Sequence, residues 1–254
     1  MEGGMIPKQR QDQILALLKA EKYVTVKYLT HVLRYSTATA NRDLNEMQAQ
    51  GLLKRCRGGA EAVNGKLPPL AVRQFYMQKE KRRNAQEAAR LIGDGETVFL
   101  DASTTVQQIV PFLLDKKDLT VITNSLYLTS ELSKHGIAVI CLGGRVVESP
   151  YVLDGEDTVD HAMKYRVDKM FFSVNSVTPS GAVGTSHYLL HRVLLNNSKE
   201  AYLLTDRAKL SDSVKVTLCD FSRLSGVISD IDFPEETKQA YPAVRFIQSA
   251  DGKI

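Results

Sequence analysis

Seven side chains between Ser36 and Arg57 are of the types that contact a nucleic-acid duplex. Arg42 carries a planar fork of donors that suits O6 and N7 of guanine, and Asn41 can pair with N6 and N7 of adenine. Thr37 and Thr39 can bond a phosphate or touch a thymine methyl. All four lie off the stripe of Ala40, Leu44 and Met47, whose spacing of four and three residues predicts the buried side of a helix. Ser36 stands where the cap of that helix belongs and is counted with the duplex contacts. Arg55 and Arg57 alternate within the run from Leu52 to Gly59, which reads as a basic strand entering a glycine turn, with Gly51 as the C-cap of the preceding helix. A solvated hairpin would also carry such arginines, but beside the helix they fit a wing that grips phosphate.

A second set lies further along the chain: Asp101, Ser103, Thr104, Thr105, Asn124, Ser125, Gly143, Gly144, Arg145 and Lys209. Asp101 closes an apolar run, and Ser103 to Thr105 open the helix expected after it. Free N–H groups, hydroxyls and the helix dipole there favour a phosphate. Asn124 and Ser125 repeat the placement after the next run. Gly143-Gly144 lets backbone approach a bound group, and Arg145 and Lys209 offer cations. A small phosphorylated sugar satisfies all of them. Singly, the hydroxyls could be helix caps, the glycines a turn and Asp101 a polar strand end; their recurrence at consecutive strand ends argues for a joint site. His187 and His191 stand four apart, the spacing of a metal pair, but with no glutamate between them and no third ligand evident neither a metal nor a cofactor is assigned.

Positioning the first set requires three helices and a wing. Lys8 to Lys19 carries Ile14, Leu15, Leu17 and Leu18 on a stripe after Pro7. Thr25 can cap a second helix with Val26, Leu29, Val32 and Leu33 inward, and Arg34-Tyr35 makes the turn before Ser36. The whole reads as a winged helix-turn-helix. Leu67-Pro68-Pro69 then breaks regular structure as a hinge, and a connecting helix over Val72 to Ile92 contains Lys79, Lys81, Arg82 and Arg83, a cluster that suits either DNA or a solvated face. From Thr97 the runs TVFLD, LTVIT, AVICL, KMFFSV, AYLLT and VIS alternate with helical segments, which predicts an α/β domain with a mostly parallel sheet and a ligand crevice at the C-terminal strand ends. The expected domains are residues 5–60 for the winged helix-turn-helix, 61–84 for the hinge and the start of the connecting helix, and 85–254 for the effector-sensing α/β domain.

The chain has 254 residues, 43% of them hydrophobic, enough for one or two cores without disulfides or metals. Its net charge of +4 is unevenly spread: residues 1–60 hold ten Lys/Arg against five Asp/Glu, whereas the remainder holds 23 against 24. A positive head on a near-neutral body is the arrangement expected when one module must approach a polyanion. Three widely spaced cysteines without C-x-x-C pairing suit a reducing compartment, and no apolar run approaches a membrane span or a secretion signal, so a cytoplasmic protein is expected.

These motifs together resemble the DeoR family of bacterial sugar-responsive repressors. The resemblance rests on V-x-V-x-x-L at Val24, STATANRDL from Ser36 to Leu44 and LKRCRGGA from Leu53 to Ala60. It continues through FLDASTT from Phe99, VITNS from Val121, LGGR from Leu142, DKMFF from Asp168, LTDRAK from Leu204 and VISD from Val227. It runs from about Met5 to the C-terminus and implies a winged helix-turn-helix followed by an effector domain resembling sugar-phosphate isomerases. Three departures stand out. Ala40 and Asn41 replace a bulky aliphatic and an arginine, so operator preference does not carry over. Ser103 replaces the glycine of D-x-G-T-T. The run from Thr185 to Arg192 lacks the family's charged helix residues, so no effector contact is assigned there. The expected function is a DNA-binding repressor of a carbohydrate-utilisation operon, with a double-stranded operator and a phosphorylated sugar as partners. Because one winged helix reads few base pairs, a dimer or higher homo-oligomer is expected, with the effector acting through the Pro68-Pro69 hinge and the connecting helix. The rivals are a sugar-phosphate isomerase or deaminase using Asp101, Asp206 and Lys209, and an architectural DNA-binding protein with an inert effector domain.

Overall fold

The computed structural model describes residues 7–21, 23–49, 52–61, 73–74, 77–148, 152–185, 187–211, 214 and 216–249. Gly51, the Leu67-Pro68-Pro69 hinge and Val72 lie outside them. The chain divides into two compact units, residues 1–78 and 79–254.

In the first unit, α1 (Pro7–Glu21) begins on a proline, whose missing N–H falls in a turn that has no use for it. A short strand β1 (Tyr23–Thr25) leads into α2 (Val26–Leu33), where Thr25 Oγ1 accepts the Tyr28 N–H at 2.8 Å. Arg34, with φ 57°, takes the left-handed conformation that ends α2. Ser36 Oγ then accepts the Thr39 N–H at 3.1 Å and opens α3 (Thr37–Ala49). Strands β2 (Lys54–Cys56) and β3 (Gly59–Glu61) form the wing, and β3 pairs antiparallel with both β1 and β2. The hydrophobic core is Ile14, Leu18, Val24, Leu29, Ala40, Leu44, Met47, Leu53 and Ala60. Two details depart from the sequence reading. Val32, expected inward, is 42% exposed, because the buried stripe of this two-turn helix runs through Val26, Leu29 and Leu33 and leaves Val32 at its edge. β1 was not expected; its Tyr23 and Val24 are buried by the wing it pairs with.

The second unit begins one residue into α4 (Gln78–Arg90), a helix that starts later than expected from Val72. Met77 immediately before it has φ 51°, a left-handed backbone that no α-helix can include. Next come β4 (Thr97–Leu100), a 3-10 helix (Val106–Phe112), β5 (Thr120–Thr123), α5 (Leu126–Lys134) and β6 (Ala138–Cys141). A hairpin of β7 (Arg145–Glu148) and β8 (Val152–Asp154) precedes α6 (Glu156–Met163) and β9 (Val167–Phe172). The short β10 (Ser176–Val177) and β11 (Val183–Gly184) follow, then α7 (Tyr188–Asn197), β12 (Ser198–Thr205), β13 (Thr217–Cys219), β14 (Gly226–Ser229), α8 (Glu235–Ala240) and β15 (Arg245–Gln248). Seven strands form one sheet in the order β15-β14-β12-β9-β4-β5-β6, and every pairing in it is parallel.

This sheet is buried on both faces, as parallel sheets require. Val98 and Leu100 enter one core with Ala85, Ala88, Ile92 and Ile109, while Phe99 enters the other with Met170, Phe172, Leu190 and Leu194. The six apolar runs read from the sequence became β4, β5, β6, β9, β12 and β14; the seventh strand, β15, was not expected, since Arg-Phe-Ile-Gln at a sheet edge presents mixed polarity. The chain winds from β4 outward to β6, then crosses to β9 on the other side of β4. The C-terminal ends of β4 and β9 are therefore the topological switch point, where open α/β sheets leave a crevice.

Candidate functional site

In the first unit, Ser36 just before α3 and Thr37 and Arg42 on it are exposed, and Thr39 and Asn41 are half-buried. Ser36 Oγ lies 2.8 Å from Thr39 Oγ1. Asn41 donates from Nδ2 to the Thr37 carbonyl at 3.0 Å and accepts Nη2 of Arg55 on Oδ1 at 3.0 Å. The Arg55 backbone N–H is in turn taken by Gln48 Oε1 at 2.7 Å. The wing is therefore tied to α3 at two points, and Asn41 links the recognition helix to the wing arginine. An arginine at position 41 would instead face Arg55 with a like charge. Arg57 is exposed in the turn between β2 and β3, beyond the strand that holds Arg55, so the two share the wing without sharing a strand face.

Sequence reasoning missed what fixes α3. Asp43 is buried, and Arg10 of α1 grips it with Nε on Oδ2 at 2.7 Å and Nη2 on Oδ1 at 2.8 Å. This bidentate pair pushes the Arg10 guanidinium further up than usual. The signal was present: Asp43 falls on the same face as Ala40, Leu44 and Met47.

In the second unit, the switch point gathers the strand-end residues. Asp101, directly after β4, is buried; its Oδ1 accepts the Ser103 N–H at 3.0 Å and its Oδ2 the Ser173 N–H, after β9, at 2.9 Å. His191 Nε2 of α7 lies 3.5 Å from the same Oδ2. Burial pushes the Asp101 carboxyl up, but the His191 ring and these donors outweigh it and hold the group below the ordinary carboxylate range. Thr104 and Thr105 are buried beside it. Lys209 donates to Thr105 Oγ1 at 3.1 Å and to Ser173 Oγ at 2.5 Å, and lies 3.8 Å from Asp206 Oδ2. Lys81 of α4 donates to Thr104 Oγ1 at 3.0 Å.

Asn124, after β5, takes the Ala102 N–H on Oδ1 at 3.1 Å and gives Nδ2 to the Leu153 carbonyl at 2.9 Å, anchoring β8 at the strand ends. Ser125 caps α5 by accepting the Leu128 N–H at 3.2 Å, and Gln107 Nε2 spans the Ala102 carbonyl at 3.1 Å and Ser125 Oγ at 3.4 Å. Asp101, Ser103, Thr104, Thr105, Asn124, Ser125 and Lys209 thus share one hydrogen-bonded neighbourhood.

Three expected members stand apart. Gly143 gives its carbonyl to Thr158 Oγ1 at 2.6 Å. Gly144 has φ 128°, and a Cβ there would lie 2.0 Å from Thr158 Oγ1, so packing against α6 accounts for that glycine. Arg145 is exposed at the start of β7. The helix expected after Asp101 is a 3-10 helix interrupted by Pro111, so hydroxyls and lysines, rather than a long helix dipole, dominate the site's electrostatics.

Several residues of the neighbourhood were not assigned from sequence. His191 also meets Thr185 Oγ1 through Nδ1 at 3.0 Å, and its ring lies 6.0 Å from that of His187, whose Nδ1 is 2.6 Å from Asp154 Oδ2. The two histidines sit side by side, each facing a carboxylate. Lys81, grouped by sequence with an outward cluster, is 3% exposed. It shares the spacing of Ala85, Ala88 and Ile92, four, three and four residues apart, which marks it as inward.

A winged helix-turn-helix joined to a parallel sheet whose switch point gathers cations and hydroxyls defines a helix-turn-helix regulator with a sensor domain. Residues 10–66 match the DeoR-like helix-turn-helix domain and residues 77–231 the DeoR C terminal sensor domain. The chain is 32% identical over 232 residues to the HTH-type transcriptional repressor GlcR of Bacillus subtilis, covering 89% of each chain. It is 28% identical to the glycerol-3-phosphate regulon repressor of Escherichia coli, covering 91% of this chain and 94% of the relative. To the lactose phosphotransferase system repressor of Lactococcus lactis it is 33% identical, covering 81% and 84%. The chain belongs to the DeoR family. Among solved structures, ribose 5-phosphate isomerase from Methanocaldococcus jannaschii is similar at 18% identity and TM-score 0.41, covering 53% of this chain and 55% of that one. No helix among the described residues is long and apolar enough to cross a membrane.

Proposed function

We propose that this chain is a cytoplasmic repressor of a carbohydrate-utilisation operon, which grips a double-stranded operator as a homo-oligomer and changes its grip when a phosphorylated sugar binds. In this reading residues 5–60 form the DNA-binding module, 61–84 the connector and 85–254 the sensor. Ser36, Thr37, Thr39, Asn41, Arg42, Arg55 and Arg57 meet DNA, with Asn41 both facing adenine and aiming Arg55. Asp101, Ser103, Thr104, Thr105, Asn124, Ser125 and Lys209 hold the effector, with Gly143, Gly144 and Arg145 at its margin. The observation that carries the sensor half is the meeting of Lys209 with Thr105 and Ser173 at the switch point, beside the buried Asp101. Cation and hydroxyls suit phosphoryl oxygens, and carboxylate and amide suit sugar hydroxyls.

The buried contact of Asp101 with His191 favours a second reading, as an isomerase. Against it, a general base working near neutral pH needs a raised carboxyl, and Asp101 is held low with both oxygens already accepting N–H donors. Incubation with phosphorylated pentoses and hexoses separates the two: saturable binding with the sugar recovered unchanged is the expected result, and isomerised product would overturn it.

A further inference from the structure

The hairpin of β7 and β8 is fixed to the strand ends through β8. Leu153 gives its N–H to the Asn124 carbonyl at 2.9 Å and takes Asn124 Nδ2 on its own carbonyl, and Val152 bridges antiparallel to Ser125. Among the described residues β7 pairs with β8 alone, so its outer edge presents unpaired N–H and C=O groups. Arg145, Val146, Val147 and Glu148 are all exposed, the valines by 48% and 43%, so the body of the chain covers neither face of the strand. A register shift between Val146 and Glu148 leaves Val147 without an opposite residue in β8. Ser125, Val152 and Glu148 stand in one row, and Leu126 and Tyr127, just after Ser125, are exposed as well. The apolar ground therefore continues from the strand into the first turn of α5.

An open apolar edge invites uncontrolled pairing, and natural edge strands are commonly guarded by charge or proline. β7 carries one charge of each sign, Arg145 at its start and Glu148 at its end, and no ion pair among the described residues uses either. Parallel to a copy of itself, the strand would set arginine beside arginine and glutamate beside glutamate. Antiparallel about a two-fold axis, it sets each arginine against a glutamate, with the valines between them. The strand is thus complementary to itself in an arrangement that closes into a dimer. We propose that the outer edge of β7 docks a second copy of this chain, the two strands antiparallel, with Arg145 of each subunit meeting Glu148 of the partner subunit. Two DNA-binding modules on one two-fold assembly are what a palindromic duplex requires. This inference rests on the reading of the chain as a homo-oligomer and names the surface that makes it one.

The test uses the full chain. Sedimentation velocity over a concentration series gives the dissociation constant of the assembly, and native mass spectrometry tells mixed assemblies from like ones. Arg145→Glu and Glu148→Arg, each checked as folded by circular dichroism, are expected to weaken self-association about 10-fold or more, because each sets like charges against each other across the two-fold. The chain with both exchanges is expected to recover wild-type association, and an equimolar mixture of the two single variants to form mixed assemblies in preference to like ones. A wild type that stays monomeric, alone and on a selected duplex, overturns the homo-oligomer and this surface with it. Folded single variants that assemble as tightly as the wild type overturn the role of β7 and leave the homo-oligomer standing. Loss of assembly that neither the double exchange nor mixing restores overturns the antiparallel pairing in the same way.

Discussion

Asp101 shows how a single residue can serve both fold and site. Its carboxylate joins the ends of β4 and β9 by accepting the Ser173 N–H, and it faces His191 from α7. Because this carboxyl is held below the roughly 3.9 of an unfolded chain, it contributes its full stabilisation above about pH 4 and loses it as pH falls through the lower folded value. Asp101→Asn turns one acceptor into a donor facing an N–H. It is expected to lower stability by about 1–3 kcal/mol at neutral pH, with the deficit shrinking as acid protonates the wild-type carboxylate. Urea unfolding at pH 7 and at about pH 3 measures this; a deficit that stays constant between the two would contradict the assignment.

At the scale of elements, residues that look alike in sequence have different roles. Gly144 is needed because α6 presses Thr158 against it in a left-handed conformation. Gly144→Ala is therefore expected to destabilise the fold by about 1–3 kcal/mol, read as a lowered urea midpoint with an unchanged slope. A stability equal to the wild type would show that the β6–β7 connection can rearrange freely. The six apolar runs, the Thr25 and Ser36 caps and the Ala40-Leu44-Met47 stripe were legible in the sequence because each expresses a local rule of periodicity or capping. Other features depend on partners distant in sequence. Asp43 needs Arg10, Asn41 needs Arg55, and Asp101 needs Ser173 and His191, from 14 to 90 residues away. The interior position of Lys81 could have been read from its spacing with Ala85 and Ala88, but its charge, grouped with that of its neighbours, suggested the surface. The strand-end cluster was expected from the α/β alternation; which of its members converge was decided by the order in which β9 and β12 join the sheet.

For the whole molecule, the positive excess within residues 1–60 and the near balance of the rest divide the work between a module that approaches a polyanion and one that senses a small ligand. The most direct measurement is the affinity of the full chain for a duplex selected from a random library, titrated in salt and repeated with phosphorylated sugars. The expected result is a clear preference for the selected duplex over random DNA, with log affinity falling steeply against log salt. That slope should become shallower by about one when Arg57→Gln removes a phosphate contact, and one sugar phosphate should shift the affinity. A flat salt response, with no preference among duplexes and no effect of any sugar phosphate, would contradict it.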